Sequence, residues 1–298
     1  MNKNRATLCQ YSRHGAGHTR LPFVASVLVA TLLTMASAQV SAEDWIAPGE
    51  EKFTVSAGIF LTSFDTRVQV DNADLDVGDD IDLEDDLDLK DSEVIFWGGG
   101  IWRFKPRHQL AVSYFNWSRD ATATALEDIT IGDETFPVGA EIQTDFKFQS
   151  IPVTYGYSFI KSRKNELAAT VGLHWNSINL SFAADAFVGG EGTDGKVSAK
   201  ADAPLPLIGL VYSHYLNDRW ILSLHGEVFS IRLSEDVSSF SGSLANTRAS
   251  AEYLVINNLS VGLAVNWFQL DVEVQSDDWQ GELKYEYFGP QLYVTGRF

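Results

Sequence analysis

The chain has 298 residues, 45% hydrophobic and 21% charged, and 22 Lys and Arg stand against 40 Asp and Glu for a net charge of −18. So acidic a chain is excluded as a nucleic-acid binder, whose affinity rests on neutralising phosphates. Its one cysteine, Cys9, leaves no intrachain disulfide to hold a fold together. The first element, residues 1–42, has the layout of a secretory signal peptide: Lys3, Arg5, Arg13 and Arg20 lead, Leu21 to Met35 form an apolar core, and small residues follow. Ala36-Ser37-Ala38 and Val40-Ser41-Ala42 each satisfy the small-x-small rule, so cleavage is expected after Ala38 or Ala42. An uncleaved membrane anchor is the alternative, and the short apolar core speaks against it. Cys9 precedes that core, where a lipoprotein cysteine would follow it. Cleavage lowers the basic count from 22 to 18 and moves the net charge to −22.

From residue 43 onward no long helical period occurs. Runs of about nine to eleven residues alternate apolar with small or polar side chains, as in Leu259, Val261, Leu263, Val265 and Trp267 against Ser260, Gly262, Ala264 and Asn266. Ten strands are predicted, near 52–70, 93–104, 109–124, 141–160, 166–184, 201–216, 220–234, 241–256, 259–274 and 283–298. Alternate connections differ in length. Those at 105–108, 161–165, 217–219 and 257–258 are short, whereas those at about 71–92, 125–140, 185–200, 235–240 and 275–281 are long and polar. Pro204 and Pro206 weaken the sixth strand, and Pro206 is expected at a bulge or the outer rim because it lacks a ladder donor.

Alternation alone also describes a soluble sandwich, and the aromatics decide against one. Trp117, Trp175 and Trp267 follow the tight turns at His108, Asn165 and Asn258 by nine, ten and nine residues. Nine residues rising ~3.3 Å each and tilted ~40° climb roughly 23 Å, close to the ~25 Å apolar band that a membrane imposes on a β-wall. Trp102, Phe104, Tyr157 and Trp220 mark the turn end of that band, and Phe298 closes the same belt. Trp117 is out of phase with Leu110, Val112 and Tyr114, so its strand is expected to carry a bulge. Several strands switch apolar parity beyond the outer Trp: Phe146 and Phe148 oppose Ile151, Val153, Tyr155, Tyr157 and Phe159. Bulges are therefore expected near the outer interface, with strands projecting past the headgroups.

At the end of the chain, Phe288, Pro290, Leu292, Val294, Gly296 and Phe298 share one parity. Here the chain resembles bacterial outer-membrane β-barrel proteins, whose C-terminal aromatic with alternating apolar residues is similar to the signal read by the barrel-assembly machinery. The resemblance rests on Phe298, Val294 and Leu292 and covers roughly 52–298 in architecture. It implies an all-β fold, a closed antiparallel transmembrane β-barrel of ten strands with eight or twelve as alternatives. It also implies residence in the Gram-negative outer membrane and contact with its lipid and lipopolysaccharide. No soluble wall-binding domain is expected after the barrel, and the oligomeric state stays open.

By parity the lumen receives Arg103, His174, Asn176, His225, Glu227, Arg248, Glu252, Asn266, Tyr293 and Arg297. A paired network that plugs the barrel is the leading expectation for these groups, and a narrow channel for small solutes is the alternative. The first long connection carries twelve carboxylates between Asp71 and Glu93. Hard cations prefer oxygen ligands, so weak calcium or magnesium binding is entertained at Asp74, Asp76, Asp79, Asp80, Asp82, Glu84, Asp85 and Asp86. A solvated acidic loop is the plainer reading, with divalent bridging to lipopolysaccharide phosphates between the two; no other cofactor is implied. Barrel proteases resemble a pattern of Asp pairs with Asp-x-His near the outer loops, and barrel deacylases use His-x-Ser. His108, His174, His214 and His225 match neither, so a non-enzymatic structural or surface role leads and an outer-leaflet hydrolase is disfavoured.

Overall fold

A computed structural model describes residues 47–71, 80–126, 128–131, 134–188, 191–234, 239–275 and 280–298. The predicted signal peptide lies outside the described residues, as do Asp74, Asp76 and Asp79. Thirteen strands form: β1 (Phe53–Asp71), β2 (Asp80–Asp82), β3 (Ser92–Lys105), β4 (His108–Thr124), β5 (Ile129–Ile131), β6 (Glu134–Phe136), β7 (Glu141–Lys161), β8 (Asn165–Val188), β9 (Glu191–Tyr215), β10 (Trp220–Ser234), β11 (Ser239–Ile256), β12 (Leu259–Gln275) and β13 (Gln280–Arg297). Ten of them close a ring. The order runs β13-β12-β11-β10-β9-β8-β7-β4-β3-β1, all antiparallel, and β1 pairs back onto β13 from Thr54↔Arg297 to Asp71↔Gln280. The ten expected strands are all present. Near the short turns every neighbouring pair in the ring is hydrogen-bonded, so that part leaves no free edge, which is what a β-fold in hydrocarbon requires. Four strands lie between β1 and β9 in either direction, so those two face each other across the lumen.

The strand faces change their dressing along the barrel. In the turn-proximal half the outward residues are apolar and exposed, as Val171, Leu173, Trp175, Ile208, Leu210, Leu222, Leu224, Leu263, Leu292 and Val294 show. In the far half the inward residues are the apolar ones: Phe64, Trp117, Phe146, Phe148, Leu180, Phe182, Phe268, Leu270, Tyr285 and Tyr287 form the buried cluster. The switch happens without the expected bulges. Register on β7–β8 is unbroken from Glu141↔Asp185 to Ser158↔Ala168, and the β12–β13 register never shifts. The shifts that do occur lie at the short turns, at Arg103/Lys105, Ser158/Ile160 and Leu254/Ile256. A two-residue period fixes each side chain's face, so the parity change in the sequence records a change of surroundings. An apolar outer face gives way to a polar one, and a polar lumen gives way to packed core inside.

Two further expectations are corrected. The predicted long loop at 185–200 is mostly strand, since β8 and β9 pair up to Val188↔Glu191. Of the two places expected for Pro206, a bulge or the outer rim, the bulge is excluded: Pro204 and Pro206 stand opposite Trp175 and Leu173 in an unshifted β8–β9 ladder. On the other flank β9 pairs with β10 only from Tyr215↔Ile221 to Ile208↔Val228. Both prolines fall where β9 has lost that neighbour, and a missing N–H costs nothing there.

Candidate functional site

The lumen is the place where the barrel concentrates polar side chains, and it has three storeys. The uppermost is apolar and closes the outer mouth. The segment after β2 folds inward, and Ile81, Leu83, Leu87 and Leu89 join the buried cluster with Phe64, Ile142 and Phe146. Backbone bonds Leu83 N→Thr66 O (2.9 Å) and Leu89 N→Leu83 O (2.9 Å) hold the turn. At its centre Arg119, 1% exposed, pairs with Glu84, donates to Thr66 Oγ1 at 2.8 Å and lies 4.2 Å over the Phe64 ring. The acidic loop thus has two faces: leucines and Glu84 inward, the other described carboxylates outward. The hairpin β5–β6 adds Ile129 and Phe136 to the same cluster and touches β1 on one side and β9 on the other.

The lowest storey is ionic and closes the turn end. Arg103 forks onto Glu166 at 2.8 and 3.2 Å, and Glu166 also accepts from Ser158 and, at 3.0 Å, from Tyr215. Arg297 pairs with both Glu51 and Glu252; Tyr293 and Ser260 donate to Glu252 as well. Residues 47–51 cross the mouth as a strap. Lys161 Nζ donates to Gly49 O at 2.6 Å, Gly49 N donates to Glu51 Oε2 at 2.5 Å, and Gly49 lies against the Tyr215 ring of β9. Gly49 has φ +90, and a Cβ there would fall 2.2 Å from Tyr215 Oη, so only glycine suits the crossing.

Between the two closures lies a chamber of about 370 Å³. Glu227 occupies its wall with His174 Nε2 at 3.3 Å, His225 Nε2 at 3.1 Å and Asn246 Nδ2 at 3.4 Å. The His225 contact is close but is not aligned as a hydrogen bond. Gly209 makes room for this group, since a Cβ on it would stand 2.7 Å from Glu227 Cγ. Asn266 continues the chain to Asn246 at 3.1 Å, and Arg248 Nε donates to Gln291 at 2.9 Å.

Nine of the ten lumen residues expected from parity line this chamber; Asn176 is buried just above it, its amide without a partner. Glu51, Glu166, Tyr215 and Gln291 were not foreseen, although Glu166 and Gln291 share parity with neighbours that were. Arg119 and Glu84 were missed as an inward pair.

Of the interface aromatics, Trp102, Phe104, Tyr157, Trp175 and Trp220 are exposed on the outer wall, while Trp267 and Phe298 are half-buried. Trp267 Nε1 donates to Glu286 at 2.9 Å. Trp117 is the exception and is corrected: 6% exposed, it stacks on Phe148 at 4.3 Å inside the barrel. No register shift intervenes on β4 to turn it outward.

In the first outer loop Asp82 Oδ1 accepts the amides of Glu84 and Asp85, and Asp86 caps the amide of Asp82. Among the described residues no three His, Cys, Asp or Glu side chains converge to hold a metal ion. On the outer hairpins, beyond the apolar band, Asp202 is held below the ordinary carboxylate range by a hydrogen bond from Ser177 and by Lys200. There too a hydrogen bond to Glu282 raises Lys284.

No protein-family model matches the sequence, and no curated protein sequence matches it. Among solved structures, the outer membrane protease OmpT from Escherichia coli is similar at TM-score 0.54 with 11% identity, covering 87% of this chain and 100% of that one. The transport unit of the autotransporter AIDA-I from Escherichia coli matches at TM-score 0.43 with 10% identity, covering 92% and 98%. The toluene transporter TodX of Pseudomonas putida matches at 0.37 with 8% identity, covering 83% and 90%. The first likeness concerns the fold alone, a closed antiparallel β-barrel.

Proposed function

We propose that this chain is a non-enzymatic β-barrel of the Gram-negative outer membrane whose lumen is closed at rest, and whose outer hairpins are its working surface. The double closure carries the reading. Leu83, Leu87 and Leu89 fill the outer mouth around Arg119, and residues 47–51 cross the other mouth over the Arg103–Glu166 and Arg297–Glu51 pairs. The belt of outward apolar residues in the turn-proximal half supports insertion in a bilayer. The barrel-assembly machinery, reading the strand that ends at Phe298, and lipopolysaccharide around the acidic outer hairpins are its proposed partners. Histidine placement supports the non-enzymatic part. His108 and His214 lie at the turn end, bonded to Tyr155 and Asn165, and His174 and His225 sit on Glu227 in mid-barrel. A base for outer-leaflet chemistry would need to reach the outer rim.

The test is conductance of the purified barrel in planar bilayers, where the wild type is expected to show no steady openings. A second reading, a narrow solute channel, draws on the polar chamber of about 370 Å³ between the closures. Steady wild-type openings that a bulky substitution at Glu227 abolishes would establish the channel and overturn the closed barrel.

A further inference from the structure

The chamber holds three arginines, and two of them are committed to carboxylates: Arg103 to Glu166, and Arg297 to Glu51 and Glu252. Arg248 is different. Among the described residues it has no carboxylate partner. Its Nε donates to Gln291 at 2.9 Å, and its guanidinium carbon stands 4.7 Å over the Tyr293 ring and 5.7 Å from that of Trp97. Those contacts use the Nε edge and a face of the plane, and a further side-chain hydrogen bond joins Arg248 to Tyr293. What remains of the Nη edge is an N–H donor set with no carboxylate on it, of the kind that suits a planar carboxylate.

Four buried polar atoms on chamber-lining residues have no hydrogen-bond partner, His225 Nε2 and Arg297 Nε beside their carboxylates and, away from any carboxylate, Trp97 Nε1 and Thr170 Oγ1, the last on a residue only 8% exposed. Buried polar atoms are usually bonded, and Trp97 Nε1 and Thr170 Oγ1 each carry a hydrogen to donate. The nearby carboxylate, Glu227, does not compete for Arg248, because His174 and His225 face its two oxygens. The end of the chamber nearest the outer closure is aromatic, with Phe60, Phe115 and Phe268 in the lining. Its volume sits near the small end of the roughly 300–1,000 Å³ typical of ligand pockets.

We propose that this chamber is a binding site for a small organic carboxylate with an apolar body, a single aromatic ring or a short aliphatic chain. The carboxylate lies on the Nη edge of Arg248 and the body lies against the phenylalanines. The route in is from the turn end, past the strap at residues 47–51. A few hydrogen bonds and one ring contact hold that strap, whereas the outer mouth is packed with buried leucine.

The experiment is calorimetric titration of the folded barrel in detergent with sodium benzoate, benzyl alcohol and benzylamine, each corrected for the micelle blank. Benzoate is expected to saturate, benzyl alcohol to bind at least about tenfold more weakly, and benzylamine to give no binding. Arg248→Gln should remove the preference for the anion. Arg248→Lys, which keeps the charge and loses the fork, should give an intermediate loss, and the near-isosteric Thr170→Val a few-fold one. Heat-modifiable gel migration verifies that each variant is folded, and the Lys and Val variants carry the test if the Gln variant is not. Absence of benzoate binding, equal binding of the three probes, or unchanged benzoate affinity in the folded variants would overturn the site. A conducting wild-type barrel would overturn the closed resting state and leave this site standing, so the two failures are distinguishable.

Discussion

Two residues apart on β4, Trp117 and Arg119 point into the barrel and show how much a single parity decides. Trp117 looked like a member of an outer aromatic belt because its distance from the turn matches that of Trp175 and Trp267. Its phase against Leu110 and Val112 said otherwise, and the phase was the better signal: with no bulge on β4, odd-numbered residues all face the lumen. Brominated lipid should therefore quench the fluorescence of Trp175, which is 52% exposed, and leave Trp117 untouched in single-tryptophan variants; quenching of Trp117 would return it to the lipid face. The same parity carries Arg119 inward, but no sequence pattern names Glu84 as its partner, because that pairing depends on how a loop folds back. Removing one member of a buried pair leaves the other charge stranded, so Glu84→Gln should cost about 3 kcal/mol. Glu84→Leu combined with Arg119→Met should leave stability within about 1 kcal/mol of wild type, since apolar replacement of a whole buried pair is close to neutral. Urea titrations of the folded barrel in detergent measure both, and a neutral Glu84→Gln would contradict the plug.

At the level of elements, the weak places in the ladder are the seams where β9 parts from β10 and β3 from β4, and the strap before β1. Above Val228, β10 keeps β11 as a partner and has lost β9. Alternate amides of residues 229–233 should then exchange far faster than those of 221–227, which are bonded on both flanks; uniform protection along β10 would close the seam. The strap depends on Gly49, and Gly49→Val should free it from Tyr215. New protease cleavage near residues 47–51, with barrel migration unchanged, is the expected result, and continued resistance would count against a glycine-dependent crossing. The ten ring strands were legible because inside the lipid band the two faces meet opposite surroundings, and alternation records that. The hairpin of β8 and β9 past residue 185 was not legible. Its glycines and charges read as loop, and a strand standing in water above a membrane is under no pressure to look apolar outside.

For the whole molecule, the inversion of apolar dressing is the organising fact. β8 has 24 residues; at ~3.3 Å each and tilted ~40° they climb roughly 60 Å, more than twice the ~25 Å apolar band. On the β8–β9 hairpin more than half of the climb therefore lies beyond an apolar band of that height, whereas β3 and β10, with 14 and 15 residues, project far less. Electron cryo-microscopy of the barrel in a nanodisc should show density projecting on one side by roughly 30 Å, from the same rise and tilt, and a barrel flush with the disc would refute the inversion. One consequence is mechanical. The strap crosses one mouth from β1 to β9, and the β5–β6 hairpin spans the other between the same two opposite strands. Both bridge the β1 and β9 sides, the strap with further bonds to Lys161 of β7 and Arg297 of β13. A ten-strand hoop braced that way should resist elongation along the braced axis and flex more freely across it, so its breathing is expected to be elliptical.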